Sequence, residues 1–174
     1  MNKSAVFIDA ANIELSAKSK GWRVDYKKLY DWLKSNYKIG YVGFFTARFE
    51  TSEHEKFLTF LKKTGYNLVT KPLKHILDKD RHHMRKANFD VEITVGAMKR
   101  KNDFEIMVLF SGDSDFNYLI RELKTLGKKV IVVSMKYHVS KELVESSDKY
   151  IDITKIKKLV ARSPQKSPSF TTGG

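Results

Sequence analysis

Apolar and polar positions along this 174-residue chain fall into short continuous hydrophobic runs separated by longer stretches with helical spacing. The clearest run is Ile106 to Phe110, without a polar interruption, as expected of a strand covered on both faces. Ser111 and Gly112 then turn the backbone. Phe116, Leu119, Ile120, Leu123 and Leu126 recur at helical spacing, and Gly127 followed by Lys128 and Lys129 predicts the stop. Ala5 to Ile8 repeats the arrangement, a short apolar strand ending at Asp9, after which Ile13, Ser16 and Ala17 share one helical face.

Between these two units the same alternation continues. Val24 and Asp25 introduce a helix with Leu29, Trp32 and Leu33 as its apolar stripe, and Tyr41 to Phe45 reads as a strand after Gly40. Ser52 and Glu55 have capping-box spacing ahead of a helix carrying Phe57, Leu58, Phe60 and Leu61. Gly65 stops that helix, and Asn67 to Thr70 forms a strand before Pro72. Asn88 to Lys101 predicts a helix with Asp90 in its first turn and Val91, Val95 and Met98 on one strip, Ile93 and Ala97 beside it. A strand over Val91 to Val95 is the local alternative.

Further on, Val130 to Val133 is a buried strand, Ser140 caps a small helix with Leu143 and Val144, and Tyr150 to Ile153 adds a last strand. Ile156, Leu159 and Val160 suggest a terminal helix. Short strands alternating with helices through short connections predict a single α/β domain over residues 1–161. From Arg162 onward Ser, Pro, Lys, Thr and Gly dominate, which predicts a flexible basic tail over 162–174.

Charge changes the picture. Lys and Arg number 33 against 20 Asp and Glu, a formal net charge of +13, which points to a polyanionic partner. The densest basic stretch holds Lys71, Lys74, Lys79, Arg81, Arg85 and Lys86 interleaved with His75, His82 and His83. It reads as a mobile loop near the strand ends whose cations, with Arg48 at the end of the second strand, contact phosphates. The histidines lack a zinc-ligand pattern, since side chains adjacent in sequence, as at His82 and His83, would usually point differently and the chain has no cysteine. Without cysteine, disulfides and thiolate metal sites are excluded. No apolar run is long enough to span a bilayer, so the expected setting is soluble and cytoplasmic, with no membrane partner. Exposed helix faces leave a homo-oligomer open.

The chemistry concentrates in four carboxylates. Asp9, Asp113 and Asp115 lie at strand exits, the usual location of a site in an open parallel sheet, and Asp90 opens a helix. Each has a plainer role as a helix cap or a first-turn acid. Their convergence would have a different meaning. Clustered carboxylates repel one another, and a hard divalent cation such as Mg²⁺ prefers oxygen ligands and offsets that repulsion. Such an ion activates water for phosphodiester hydrolysis.

The segments FIDAANI (Phe7 to Ile13), FDVEITVGAM (Phe89 to Met98) and VLFSGDSDFNYLIRELKTLGKKVIVV (Val108 to Val133) resemble the NYN family, in the LabA-like branch of the PIN-like nucleases. The similarity runs through roughly residues 4 to 153, and Ser-Gly-Asp-x-Asp-Phe is its most specific part. The resemblance implies a PIN-like three-layer α/β/α sandwich with a mostly parallel central sheet, and a Mg²⁺- or Mn²⁺-dependent ribonuclease site. Asp9, Asp90, Asp113 and Asp115 match its acidic metal ligands. Asn12 matches an asparagine that supports the site through its amide, and Ser111 a serine that orients water or an aspartate. RNA as partner comes from the resemblance, whereas charge alone attracts DNA equally.

Two departures stand out. Many relatives carry a second aspartate where this chain has Gly96, and Arg85 and Lys86 replace the usual Lys-Gly form. The competing expectation is therefore an RNA-binding protein with a degenerate centre.

Overall fold

A computed structural model describes residues 2–72, 74–77 and 83–163, with side chains outside 73–86. Six strands form one sheet: β1 (Lys3–Asp9), β2 (Lys38–Arg48), β3 (Asn67–Pro72), β6 (Ile106–Phe110), β7 (Lys129–Ser134) and β8 (Lys149–Asp152). The order is β3-β2-β1-β6-β7-β8, and every adjacent pair is parallel. The chain winds outward from β1 to β3, returns to β6 on the other side of β1, and winds outward again. This reversal opens a crevice at the carboxyl ends of β1 and β6, where Ile8 is registered with Phe110.

Strand residues alternate between two apolar layers because successive side chains point to opposite faces. Val6, Ile8, Val108 and Phe110 pack with residues of α1 (Ala10–Ser19), α2 (Tyr26–Asn36), α3 (Ser52–Thr64) and α7 (Lys157–Val160), including Ile13, Leu29, Leu33, Leu61 and Val160. Ala5, Phe7, Met107 and Leu109 pack with α4 (Asp90–Lys99), α5 (Asn117–Thr125) and α6 (Lys141–Ser146) through Ile93, Ala97, Leu119, Ile120, Leu123 and Leu143. The result is the α/β/α sandwich expected, with a main sheet that is parallel throughout. No helix among the described residues is long and apolar enough to cross a membrane.

Some local expectations shift. Thr51, not Ser52, caps α3, its Oγ1 accepting the N–H of His54 at 3.3 Å, while Glu55 turns away to pair with Arg48. The stretch read as a loop contains β4 (Lys74–Leu77) and β5 (His83–Lys86), an antiparallel ribbon with Lys74 registered on Lys86 and Leu77 on His83. Two strands this close in sequence need little loop-closure entropy, so they pair without the apolar alternation that announces a strand. Most of the tail, residues 164–174, lies outside the described residues; Arg162 N–H donates to the Arg23 carbonyl at 2.9 Å.

The packed strip of α4 also differs. Phe89, Ile93 and Ala97, four residues apart, are buried, whereas Val91 and Val95 are 71% and 44% exposed. Apolar residues surround this helix on several sides, so spacing alone could not choose the inward one. Gly96 sits beside the buried strip, where an added Cβ would meet ring atoms of Phe7 and Phe45 at 3.7 and 3.8 Å, ordinary contact distances. Gly96→Ala is therefore expected to stabilise the fold by about 0.5–1 kcal/mol, removing backbone entropy from the unfolded chain without strain. Urea unfolding checks this, and a lower midpoint would contradict it.

Candidate metal centre and cleft

Asp9 ends β1 and caps α1, its Oδ1 accepting the N–H of Asn12 at 3.3 Å. Aspartate suits that position because its short side chain satisfies a helix donor that lacks an intrahelical acceptor. Across the strand gap, the buried Ser111 hydroxyl donates to Asp9 Oδ2 at 3.5 Å and accepts the Asp113 N–H at 3.3 Å. Asn12 Oδ1 accepts the Gly112 N–H at 3.0 Å. The exits of β1 and β6 are thus joined through both supporting residues, Asn12 and Ser111.

Asp113 then caps the 3-10 turn Ser114–Phe116, its Oδ1 accepting the Asp115 N–H at 3.1 Å. The turn is held from behind by Gly112, whose carbonyl accepts the Ser140 N–H at 3.0 Å. No side chain fits at Gly112. A Cβ there would lie 2.0 Å from the His138 carbonyl oxygen and 2.7 Å from Ser134 Oγ.

Asp90 arrives from the other side, in the first turn of α4, with its N–H donating to Asn88 Oδ1 at 2.8 Å. The N-terminal end of a helix favours negative charge there. Asp90, Asp113 and Asp115 each present a carboxylate oxygen, and the three lie within 4.8 Å of one another. Asp9, Asp90 and Asp113 line one cleft of about 620 Å³. Burial pushes the Asp9 carboxyl up to about 6 from an ordinary 3.8; the Asn12 N–H pulls it back, and the charges of Asp90 and Asp113 raise it again. Asp90, Asp113 and Asp115 form a donor set that fits a hard divalent cation, and Asp9 lies outside that group of three, close enough to Asp90 and Asp113 for their charges to oppose its ionisation.

That penalty has a measurable sign. The folded state holds the Asp9 proton more tightly than the unfolded state, so this contribution to stability is fully present below pH 3.8 and is lost as pH rises through about 6. A shift of this size corresponds to roughly 3 kcal/mol. In chelator at pH 7.5, Asp9→Asn keeps a capping side chain and is expected to stabilise the protein by about 1–3 kcal/mol, and to change it little at pH 3.5. Paired urea titrations test this, and destabilisation at pH 7.5 would count against it.

The basic residues are distributed differently from the acids. Arg48 is held by Glu55 in a two-pronged pair at 2.9 and 3.2 Å, and Lys71 pairs with Glu92 at 2.7 Å with its Nζ 4.9 Å from the Phe89 ring centroid. Neither lines the cleft. The backbones of Lys74, His75, Arg85 and Lys86 lie in the β4–β5 ribbon, their side chains outside the described residues, and Arg81 and His82 lie outside them entirely. A cation that the sequence reasoning missed, Lys18, does line the cleft, with Ala11 and Leu15 from the same helix. Their spacing of four and three residues was the available signal, since it marks the face of α1 opposite the buried Ile13 and Ala17.

Gly96 takes no part in the cluster. It lies six residues along α4 from Asp90, about 9 Å of helical rise, and its Cβ direction is toward Phe7 and Phe45.

The sequence model of the NYN domain matches residues 3–154, from β1 to the turn after β8. This chain belongs to the NYN family. The NYN match spans the strand exits that carry Asp9, Asp113 and Asp115 as well as Asp90. The low amplitude and bright protein LabA of Synechococcus elongatus is 27% identical over 171 residues, covering 96% of this chain and 92% of that protein, which places this NYN domain in the LabA-like branch. A crystal structure of a protein of unknown function from Vibrio parahaemolyticus matches with a TM-score of 0.77 at 22% identity, over 87% of this chain and 93% of that one. That likeness carries the fold.

Proposed function

We propose that this NYN domain hydrolyses internal phosphodiester bonds of RNA, using Mg²⁺ or Mn²⁺ held by Asp90, Asp113 and Asp115 with Asp9 beside them. The observation that carries the reading is the approach of three carboxylate oxygens to within 4.8 Å at a sheet switch point, next to a fourth acid, Asp9, whose ionisation is opposed by burial and then by the charges of Asp90 and Asp113. A divalent cation among these carboxylates would offset their mutual repulsion.

A bound divalent ion supplies Lewis acidity, lowering the pKa of a coordinated water and stabilising charge on the departing oxygen. The chain's own groups do the placing. Ser111 fixes Asp9 Oδ2, Asn12 holds the Gly112 backbone that leads into Asp113, and Lys18 offers positive charge to a phosphate entering the cleft. Arg48 and Lys71 are engaged with Glu55 and Glu92 away from the cleft lining, and the basic composition of residues 71–86 adds to the positive charge that draws in a polyanion.

The preference for RNA over DNA is supported by the family resemblance alone, so matched RNA and DNA strands are compared. Purified protein is incubated with each in Mg²⁺, Mn²⁺ or chelator, and with a circular RNA that has no ends. Metal-dependent opening of the circle is the expected result. Saturable RNA binding with no cleavage in either metal would favour a binding role instead.

A further inference from the structure

The acids account for only part of the cleft surface. The same cleft carries Leu15, 69% exposed, from α1, and Phe49, 41% exposed, just beyond β2. Single exposed apolar side chains are ordinary on a protein surface. Two large ones bordering the same cleft as a carboxylate cluster need a use. Phe49 is also held in place, its ring 4.8 Å from that of His54 at 80°, with His54 in turn 6.0 Å from Phe57. Lys18 completes this wall at the next turn of α1, and Glu14, which also lines the cleft, is engaged in accepting the Tyr26 hydroxyl at 2.7 Å.

We propose that Leu15 and Phe49 form a slot for one unpaired nucleobase of the strand whose phosphodiester lies at the acidic cluster, with Lys18 receiving a neighbouring phosphate. The inference rests on the hydrolase reading above and adds a substrate requirement to it. Continuity with the carboxylate cluster and the basic charge of the chain select the occupant: a ligand with an apolar planar face on a polyanionic backbone suits an aromatic ring, an aliphatic side chain and a lysine in one cleft. Bases inside a duplex are stacked and paired, and the slot cannot take one without extruding it. Strands unpaired at the scissile bond should therefore be preferred over duplexes of the same sequence.

The test couples one protein change to one substrate change. Binding of a short single-stranded oligoribonucleotide is measured in Ca²⁺, with each base in turn replaced by an abasic residue. At one position the wild type is expected to lose about tenfold or more in affinity, the range given by base–aromatic stacking. In Phe49→Ala that abasic penalty shrinks to about twofold or less, while Phe49→Trp restores it, a pattern that altered folding would not produce. An abasic penalty of equal size in wild type and Phe49→Ala would overturn the slot. If wild type cleaves RNA but shows equal penalties, the slot fails and hydrolysis stands. If the coupled penalty is present without cleavage in Mg²⁺ or Mn²⁺, the slot stands and hydrolysis fails. Absence of any nucleic-acid binding by the wild type removes both.

Discussion

Asp113→Asn is expected to lower metal-dependent RNA cleavage by roughly 10²–10³-fold or more, with the folded state retained. The side chain does two separable jobs. Its charge contributes to the three-oxygen cluster with Asp90 and Asp115, and its Oδ1 caps the turn by accepting the Asp115 N–H. Asparagine keeps an oxygen for the cap and discards the charge, so unfolding should move by less than about 1 kcal/mol while cation affinity collapses. Cleavage rates in Mg²⁺ and Mn²⁺, beside thermal melts with and without metal, separate the two jobs. Equal cleavage by wild type and Asp113→Asn would remove the aspartate from the chemistry.

Gly112→Ala should damage both fold and site. A methyl 2.0 Å from the His138 carbonyl oxygen meets backbone, which cannot rotate away as a side chain would, and Ser134 Oγ at 2.7 Å crowds it from another direction. Overpacking of this kind costs about 3 kcal/mol. The strain falls on the link between β6 and the 3-10 turn, where the Gly112 N–H binds Asn12 Oδ1 and its carbonyl receives the Ser140 N–H. Cleavage should therefore fall further than the lost folded fraction explains, because Asp113 moves with its neighbour. Measurement below the melting transition tests this. A variant as stable and active as wild type would show that the 134–140 loop yields freely, and that the turn is not braced from behind.

Much of this architecture could be read from the chain. Strand exits at Asp9 and at Ser111-Gly112-Asp113 were legible because an uninterrupted apolar run such as Ile106 to Phe110 has only one comfortable place, inside a covered sheet. The acids then follow from topology, since the ends of β1 and β6 are adjacent at the switch point. What stayed hidden depended on contacts between distant segments. That Lys71 pairs with Glu92, twenty-one residues on and 2.7 Å away, could not be read from the sequence. That a Cβ at Gly96 would face Phe7 and Phe45 could not be read from the sequence either. Phe49 carried no periodic signal of its own, and the spacing that puts Leu15 on one face of α1 with Ala11 and Lys18 could not show that this face borders the carboxylates.

The same contrast explains the uneven fate of the helices. α5 has Leu119, Ile120 and Leu123 on one buried face, opposite polar neighbours, and its orientation was plain from spacing. In α4 the valines outside and the isoleucine and alanine inside are equally apolar, so only packing against Phe89 and the sheet decides between them. Local pattern specifies an element, and tertiary contact specifies which side it shows.

Mn²⁺ binding read by anomalous scattering from a soaked crystal tests the central claim most directly. The account predicts a peak coordinated by oxygens of Asp90, Asp113 and Asp115, with Asp9 alongside, and its loss in Asp113→Asn crystals soaked in the same way. Carboxylates that point apart with no peak between them, in a wild-type crystal soaked at saturating Mn²⁺, would contradict it.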